Sequence, residues 1–83
     1  MKLKLEKNGD RYLLDCRDLT CPFPLTMTKI ALKEVDSLEV ITNNPPSARD
    51  IPEILRRQGY EVEVVKERNI WRILIDKDSK LKA

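Results

Sequence analysis

The residues able to do chemistry gather around one thiol, in Cys21-Pro22-Phe23-Pro24. A strand-like run, Tyr12-Leu13-Leu14-Asp15-Cys16, precedes it, and an apolar-periodic segment from Leu25 to Val35 follows. Pro is favoured at the first helical position, where its missing N–H would be unpaired anyway. Pro22 therefore sets Cys21 at or near a helix N-cap. A sulfur there faces unpaired amides and the positive end of the helix dipole. Both favour thiolate, the reactive form. We read Cys21 as a reactive thiol; the alternative is a small buried hydrophobe, the role of most lone cysteines. Position favours reactivity, because ligands and reactive groups collect at strand-to-helix junctions of open α/β sheets. The prolines Pro22 and Pro24 fix the backbone there and are candidate site-shaping residues.

Three neighbours matter. Cys16 is either a core-facing strand residue or a resolving thiol for Cys21, and the scarcity of cytosolic disulfides favours the first. Arg17 is a candidate to stabilise an anionic sulfur, or else an ordinary loop charge. Asp15 can order the loop by accepting backbone N–H bonds, as in an Asx turn. Other chemistries are excluded. The chain of 83 residues has no histidine, which removes Cys–His catalysis, His-ligated metals and an imidazole base. Two cysteines are too few for a zinc site, so no metal site is expected. The only glycines are Gly9 and Gly59, so there is no Gly-rich phosphate loop.

One domain over residues 1–83 with one core is the expected organisation. Sixteen basic residues against 14 acidic ones give no strong nucleic-acid footprint. No apolar run approaches the ~20 residues of a membrane span. Met1 to Lys7 alternates and carries an acid, unlike a signal peptide, so a cytoplasmic protein is expected.

The elements that position the thiol follow from periodicity. Leu3 and Leu5 alternate with charges, and Asn8-Gly9 is a hairpin signal, so residues 1–9 read as an N-terminal strand and turn paired to Arg11–Cys16. The first helix is predicted over residues 22–35, with Leu25, Thr28, Ala31, Leu32 and Val35 on its core face. Leu38 to Thr42 reads as a buried parallel strand, completing a right-handed βαβ unit. Asn43-Asn44-Pro45-Pro46 reads as a loop. Ser47-Ala48-Arg49-Asp50 has capping-box spacing with Asp for Glu, and Ile51, Ile54 and Leu55 are the buried side of a second helix. Pro52 is expected to kink its first turn, and Gly59 to end it. Tyr60–Lys66 and Ile70–Asp76 form an antiparallel hairpin, and residues 78–83 a frayed tail. The predicted fold is α+β: a two-layer β-α-β-α-β-β sandwich, with a four-stranded mixed sheet, two helices on one face and the added N-terminal hairpin strand.

Phe23, Met27 and Ile30 make a second apolar stripe on the first helix, away from Leu25 and Leu32. Beginning beside the thiol, it suits a docking partner; the alternative is cover by the second helix or the N-terminal hairpin. Arg49, Arg56 and Arg57, with Lys29 and Lys33, are expected to form a basic face near one end of the domain. Without an aromatic platform that face reads as solvated, not as an RNA site. Trp71 reads as core or edge cover.

Asp15-Cys16-Arg17-Asp18-Leu19-Thr20-Cys21-Pro22-Phe23-Pro24 resembles the signature of the TusA/SirA-like sulfur-carrier family: Asp, any residue, Arg or Lys, Gly, Leu, any residue, Cys-Pro-any-Pro. The resemblance continues through Asn44-Pro45, Arg49-Asp50-Ile51-Pro52 and Gln58-Gly59. It implies a sandwich like the C-terminal domain of translation initiation factor three. It also implies that Cys21 accepts sulfane sulfur as a persulfide and passes it on, toward tRNA thiolation, cofactor maturation or sulfur oxidation. Asp18 stands where the family has Gly, a departure that matters if the backbone needs positive φ; its charge also opposes a thiolate. Asn44 replaces a common acidic residue, and Cys16 lies outside the core motif.

The sequence thus points to a persulfide carrier with Cys21 as the reactive residue. Asp15, Arg17, Pro22 and Pro24 shape the site, and Phe23, Met27, Ile30, Arg49 and Asp50 contact partners. The implied partners are a sulfur donor, cysteine desulfurase or rhodanese-like, and a sulfur-acceptor protein. No cofactor beyond the covalent sulfur, no membrane and no direct nucleic-acid contact are expected, and the chain is expected to be a monomer or weak dimer. Two alternatives stand beside this reading: a thiol redox protein using Cys16 and Cys21, and a non-catalytic protein- or RNA-binding module.

Overall fold

The computed structural model describes residues 5–9, 11–20 and 23–77. The expectations placed on Leu3, Cys21, Pro22 and the 78–83 tail lie outside the described residues. The elements run β1 (Glu6–Asn8), β2 (Arg11–Asp15), α1 (Phe23–Ala31), β3 (Ser37–Thr42), α2 (Pro45–Arg57), β4 (Glu61–Lys66) and β5 (Trp71–Asp76). They build one mixed sheet in the order β1-β2-β3-β5-β4. β2 and β3 are parallel and the other pairs antiparallel. The N-terminal strand thus extends the predicted four-stranded sheet to five. Asn8 belongs to β1 and pairs with Arg11, so the turn opens one position later than expected, on Gly9 with φ 66°.

The pleat separates two faces. Leu14, Val40 and Ile73 share one row; Tyr12, Leu38, Ile75 and Val62 share the next. These residues form the core with Ala31 and Leu32 of the first helical segment and Ile51 and Leu55 of α2. Both helices therefore cover the same side of the sheet. Leu38, Ile51, Leu55, Ile73 and Ile75 have no exposed surface; each contributes about 1.5–3 kcal/mol. β3 lies between β2 and β5, and its Leu38, Val40, Ile41 and Thr42 are buried. The opposite sheet face carries ion pairs: Arg11 with Asp76 at 3.0 Å, and Arg72 with Glu39 and Glu67.

Both helix boundaries depart from the sequence reading. α1 ends at Ala31, not Val35. No C′ glycine follows it, and the chain tightens instead through i→i+3 bonds, Lys33 N–H to Ile30 C=O and Glu34 N–H to Ala31 C=O. α2 begins at Pro45, two residues before the expected capping box. Asn44 is the N-cap: its Oδ1 accepts the Ser47 N–H at 3.1 Å and the Ser47 hydroxyl at 2.8 Å. Pro45 and Pro46 occupy N1 and N2, where a missing N–H costs nothing. Pro52 therefore sits in the helix interior and not in a first turn, and α2 continues through it to Arg57. At the far end Gly59 adopts φ 97°. Its N–H bonds Arg56 C=O and that of Tyr60 bonds Leu55 C=O, the paired closure of a Schellman motif.

Candidate functional site

Parallel pairing brings the C-terminal ends of β2 and β3 side by side. The connection to α1 leaves one, and the connection to α2 leaves the other. Two helix N-termini, each the positive end of a dipole, therefore lie at the same end of the domain. The segment bearing Cys21 belongs to the first of these connections.

The connection starts from a rigid base. Cys16 N–H donates to Ile41 C=O at 2.7 Å, and the Cys16 side chain is fully buried in the core. Burial pushes its thiol up to about 12, and the negative charge of Asp15 adds to the effect. Cys16 is thus a neutral core thiol. Asp15 accepts the Arg17 N–H at 3.0 Å, the Asx-like contact expected of it. Its two oxygens also take the Arg17 guanidinium, at 3.0 Å from Nε and 2.7 Å from Nη2. Those bonds hold the Asp15 carboxyl below its ordinary value. The Arg17 fork is therefore engaged by Asp15.

The chain then turns. Leu19 N–H donates to Cys16 C=O at 3.2 Å, and Asp18 takes φ 67°. This is the left-handed conformation that a type II turn needs at its third residue. It explains why glycine suits this position and what Asp18 must do in its place. Asp18 N–H donates to Asn43 Oδ1 at 2.8 Å, and Asn43 Nδ2 donates to Asp18 Oδ1 at 3.0 Å. Asn43, read from sequence only as part of a loop, thus ties the two connections together. The one signal for it was the non-glycine residue at position 18.

Cys21 and Pro22 lie outside the described residues; the chain on either side of them is fixed. Phe23 N–H donates to Thr20 C=O at 2.9 Å. Pro24 is buried, and its carbonyl accepts the Thr28 hydroxyl at 2.7 Å. Of the predicted apolar stripe, Phe23 is 54% exposed, whereas Met27 packs against the core and Ile30 is half-buried. The stripe is therefore an exposed aromatic with a partly covered continuation. Arg49 is exposed on α2, its Nε 3.5 Å from the half-buried Asp50.

The predicted basic face does not assemble at one end. Arg56 and Arg57 lie seven and eight residues beyond Arg49, about 10–12 Å along the axis. Arg56 donates to Val62 C=O at 2.8 Å and Arg57 pairs with Glu53 at 3.0 Å. Trp71 is half-buried with the Lys66 Nζ 4.6 Å from its ring centre, as edge cover. A concavity of about 360 Å³ on the opposite sheet face is lined by Glu6, Leu13, Asp15, Arg17, Ile41, Ile70 and Arg72; only the register reveals it. Among the described residues no group of three or more His, Cys, Asp or Glu could hold a metal, and no helix is long and apolar enough to cross a membrane.

This is a small two-layer α+β domain built on a βαβ unit, with a thiol-bearing connection at its carboxyl edge. The crystal structure of a SirA-like protein from Desulfitobacterium hafniense has the same fold, with a TM-score of 0.72 at 22% identity, over 80% of this chain and 96% of that one. The family model described as sulfurtransferase TusA matches residues 12–77, and the chain belongs to the TusA/SirA-like family. Two curated relatives from Archaeoglobus fulgidus, each named "Putative sulfur carrier protein", are 41% identical to it. One aligns over 69 residues, 78% of this chain and 94% of the relative. The other aligns over 71 residues, 78% and 80%.

Proposed function

We propose that this chain is a persulfide carrier with Cys21 as its sulfur-bearing residue. The observation that carries the reading is that the family match over residues 12–77 includes Cys21-Pro22-Phe23-Pro24. The names of the two curated relatives support the same role. In the reaction the Cys21 thiolate attacks the outer sulfur of a donor persulfide. A new S–S bond forms on Cys21, the donor S–S bond breaks, and the donor cysteine leaves as thiolate. No external oxidant or reductant is consumed. The reverse geometry, with an acceptor thiolate attacking the outer sulfur held on Cys21, passes the cargo on.

Proteins fill both outer roles: a cysteine desulfurase or rhodanese-like donor, and an acceptor serving tRNA thiolation, cofactor maturation or sulfur oxidation. Exposed Phe23 is the centre of the docking surface, flanked by Met27 and Ile30, with Arg49 and Asp50 contributing from α2. Asp15 and Arg17 shape the loop as a pair, and Pro22 and Pro24 fix its exit into α1. The redox reading is disfavoured by the burial of Cys16 and by its raised pKa. Incubation with a cysteine desulfurase and [35S]cysteine tests the proposal. Label is expected on wild type and on Cys16→Ala, and none on Cys21→Ser. Labelling of folded Cys21→Ser refutes it.

A further inference from the structure

The turn at the start of the thiol-bearing connection carries an L-residue where its backbone favours glycine. Asp18 has φ 67° at the third position of the Cys16–Leu19 turn. Such a conformation persists only where the surroundings hold it. Here the holding group is visible: Asn43 accepts the Asp18 amide at 2.8 Å and donates to the Asp18 carboxylate at 3.0 Å. One side chain thus grips both the backbone and the side chain of the strained residue. Asn43 immediately precedes Asn44, the cap of α2, so this grip also ties the Cys16–Leu19 turn to the second helix N-terminus. The other end of the connection is closed by Phe23 N–H to Thr20 C=O.

We propose that Asn43 is a positioning residue for sulfur transfer, holding the left-handed turn at Asp18 that a glycine would otherwise supply. The proposal rests on the carrier reading above. It makes the effect of Asn43 conditional on Asp18: with glycine at position 18 the turn needs no clasp, so removing Asn43 should then do nothing. A role for Asn43 in general folding, or through the neighbouring α2 cap, would not be conditional in this way.

The test compares four full-length proteins: wild type, Asn43→Ala, Asp18→Gly and the double variant. Two quantities are measured: the rate at which Cys21 is loaded by glutathione persulfide, followed by intact mass, and hydrogen exchange at the Leu19 amide, whose partner is Cys16 C=O. Asn43→Ala is expected to slow loading and speed Leu19 exchange by roughly three- to tenfold, the worth of a net hydrogen bond. Asp18→Gly is expected to leave Leu19 exchange near wild type and not to slow loading, and Asn43→Ala on that background to change neither. Equal effects of Asn43→Ala on both backgrounds overturn the proposal, as do faster exchange with unchanged loading or no change in either. Absence of loading in all four proteins is a separate pattern that overturns the carrier reading itself.

Discussion

Cys16 should be chemically silent in the native protein, and the structure sets how silent. The reagent-reactive species is thiolate. With a pKa pushed up to about 12, Cys16 at pH 8 is thiolate to only about one part in 10⁴; a free cysteine at the ordinary value of 9.0 is about one tenth ionised. The difference is about three orders of magnitude before access is considered. Access lowers it further, because the side chain is fully buried and a reagent must wait for an opening of the fold. Iodoacetamide at pH 8, with peptide mapping over time, reads both cysteines in one experiment. Cys16 is expected to react at least 1,000-fold more slowly than in urea-unfolded protein. Labelling within tenfold of the unfolded rate would refute the argument. Linkage supplies a second readout with a definite sign. The folded pKa lies above the ordinary value of 9.0, so the unfolded chain loses this proton first as pH rises. Stability should therefore fall between about pH 9 and 12, by on the order of 1.4 kcal/mol per unit. Cys16→Val should remove that part of the slope in urea titrations.

Two further predictions concern the scaffold. Asn44→Ala removes the α2 cap and leaves the buried Ser47 hydroxyl without its acceptor. The expected loss is about 2–3 kcal/mol, combining a lost cap with an unpaired buried group; chemical denaturation measures it, and a loss below about 0.5 kcal/mol would contradict the assignment of Asn44 as cap. Gly9→Ala places an L-residue at φ 66° with open space around the new methyl, so the cost is backbone strain alone, about 1–2 kcal/mol, and Gly9→Asn should recover part of it in thermal melts.

Much of this architecture is legible in the sequence because its signals are local. The mostly apolar Leu38–Thr42 identifies a central strand, whose Leu38 and Val40 face the helices. Gly59 marks the end of α2, and the alternation over Tyr60–Lys66, followed by the short Glu67-Arg68-Asn69 link, gives the hairpin of β4 and β5. The start of α2 is misplaced because Asn-Pro-Pro reads as a loop when taken as composition. Taken as positions, asparagine is a preferred cap and proline a preferred first-turn residue. The end of α1 is overextended because the periodicity of Leu32 and Val35 continues through a tightened turn. At the site, the Asp15 contact to the Arg17 amide is short-range and readable. The Asn43–Asp18 clasp spans 25 residues, and no local pattern encodes it. The stripe of Phe23, Met27 and Ile30 is correct in spacing, yet helical spacing alone cannot say which members the core covers.

The carrier proposal puts the sulfur on Cys21. Intact-protein mass spectrometry after treatment with a sulfane-sulfur donor tests it most directly, comparing wild type, Cys16→Ser and Cys21→Ser. One added sulfur is expected in wild type and in Cys16→Ser, removable by reductant and absent from Cys21→Ser. A loss of two hydrogens requiring both cysteines, or an added sulfur that survives Cys21→Ser, would contradict it.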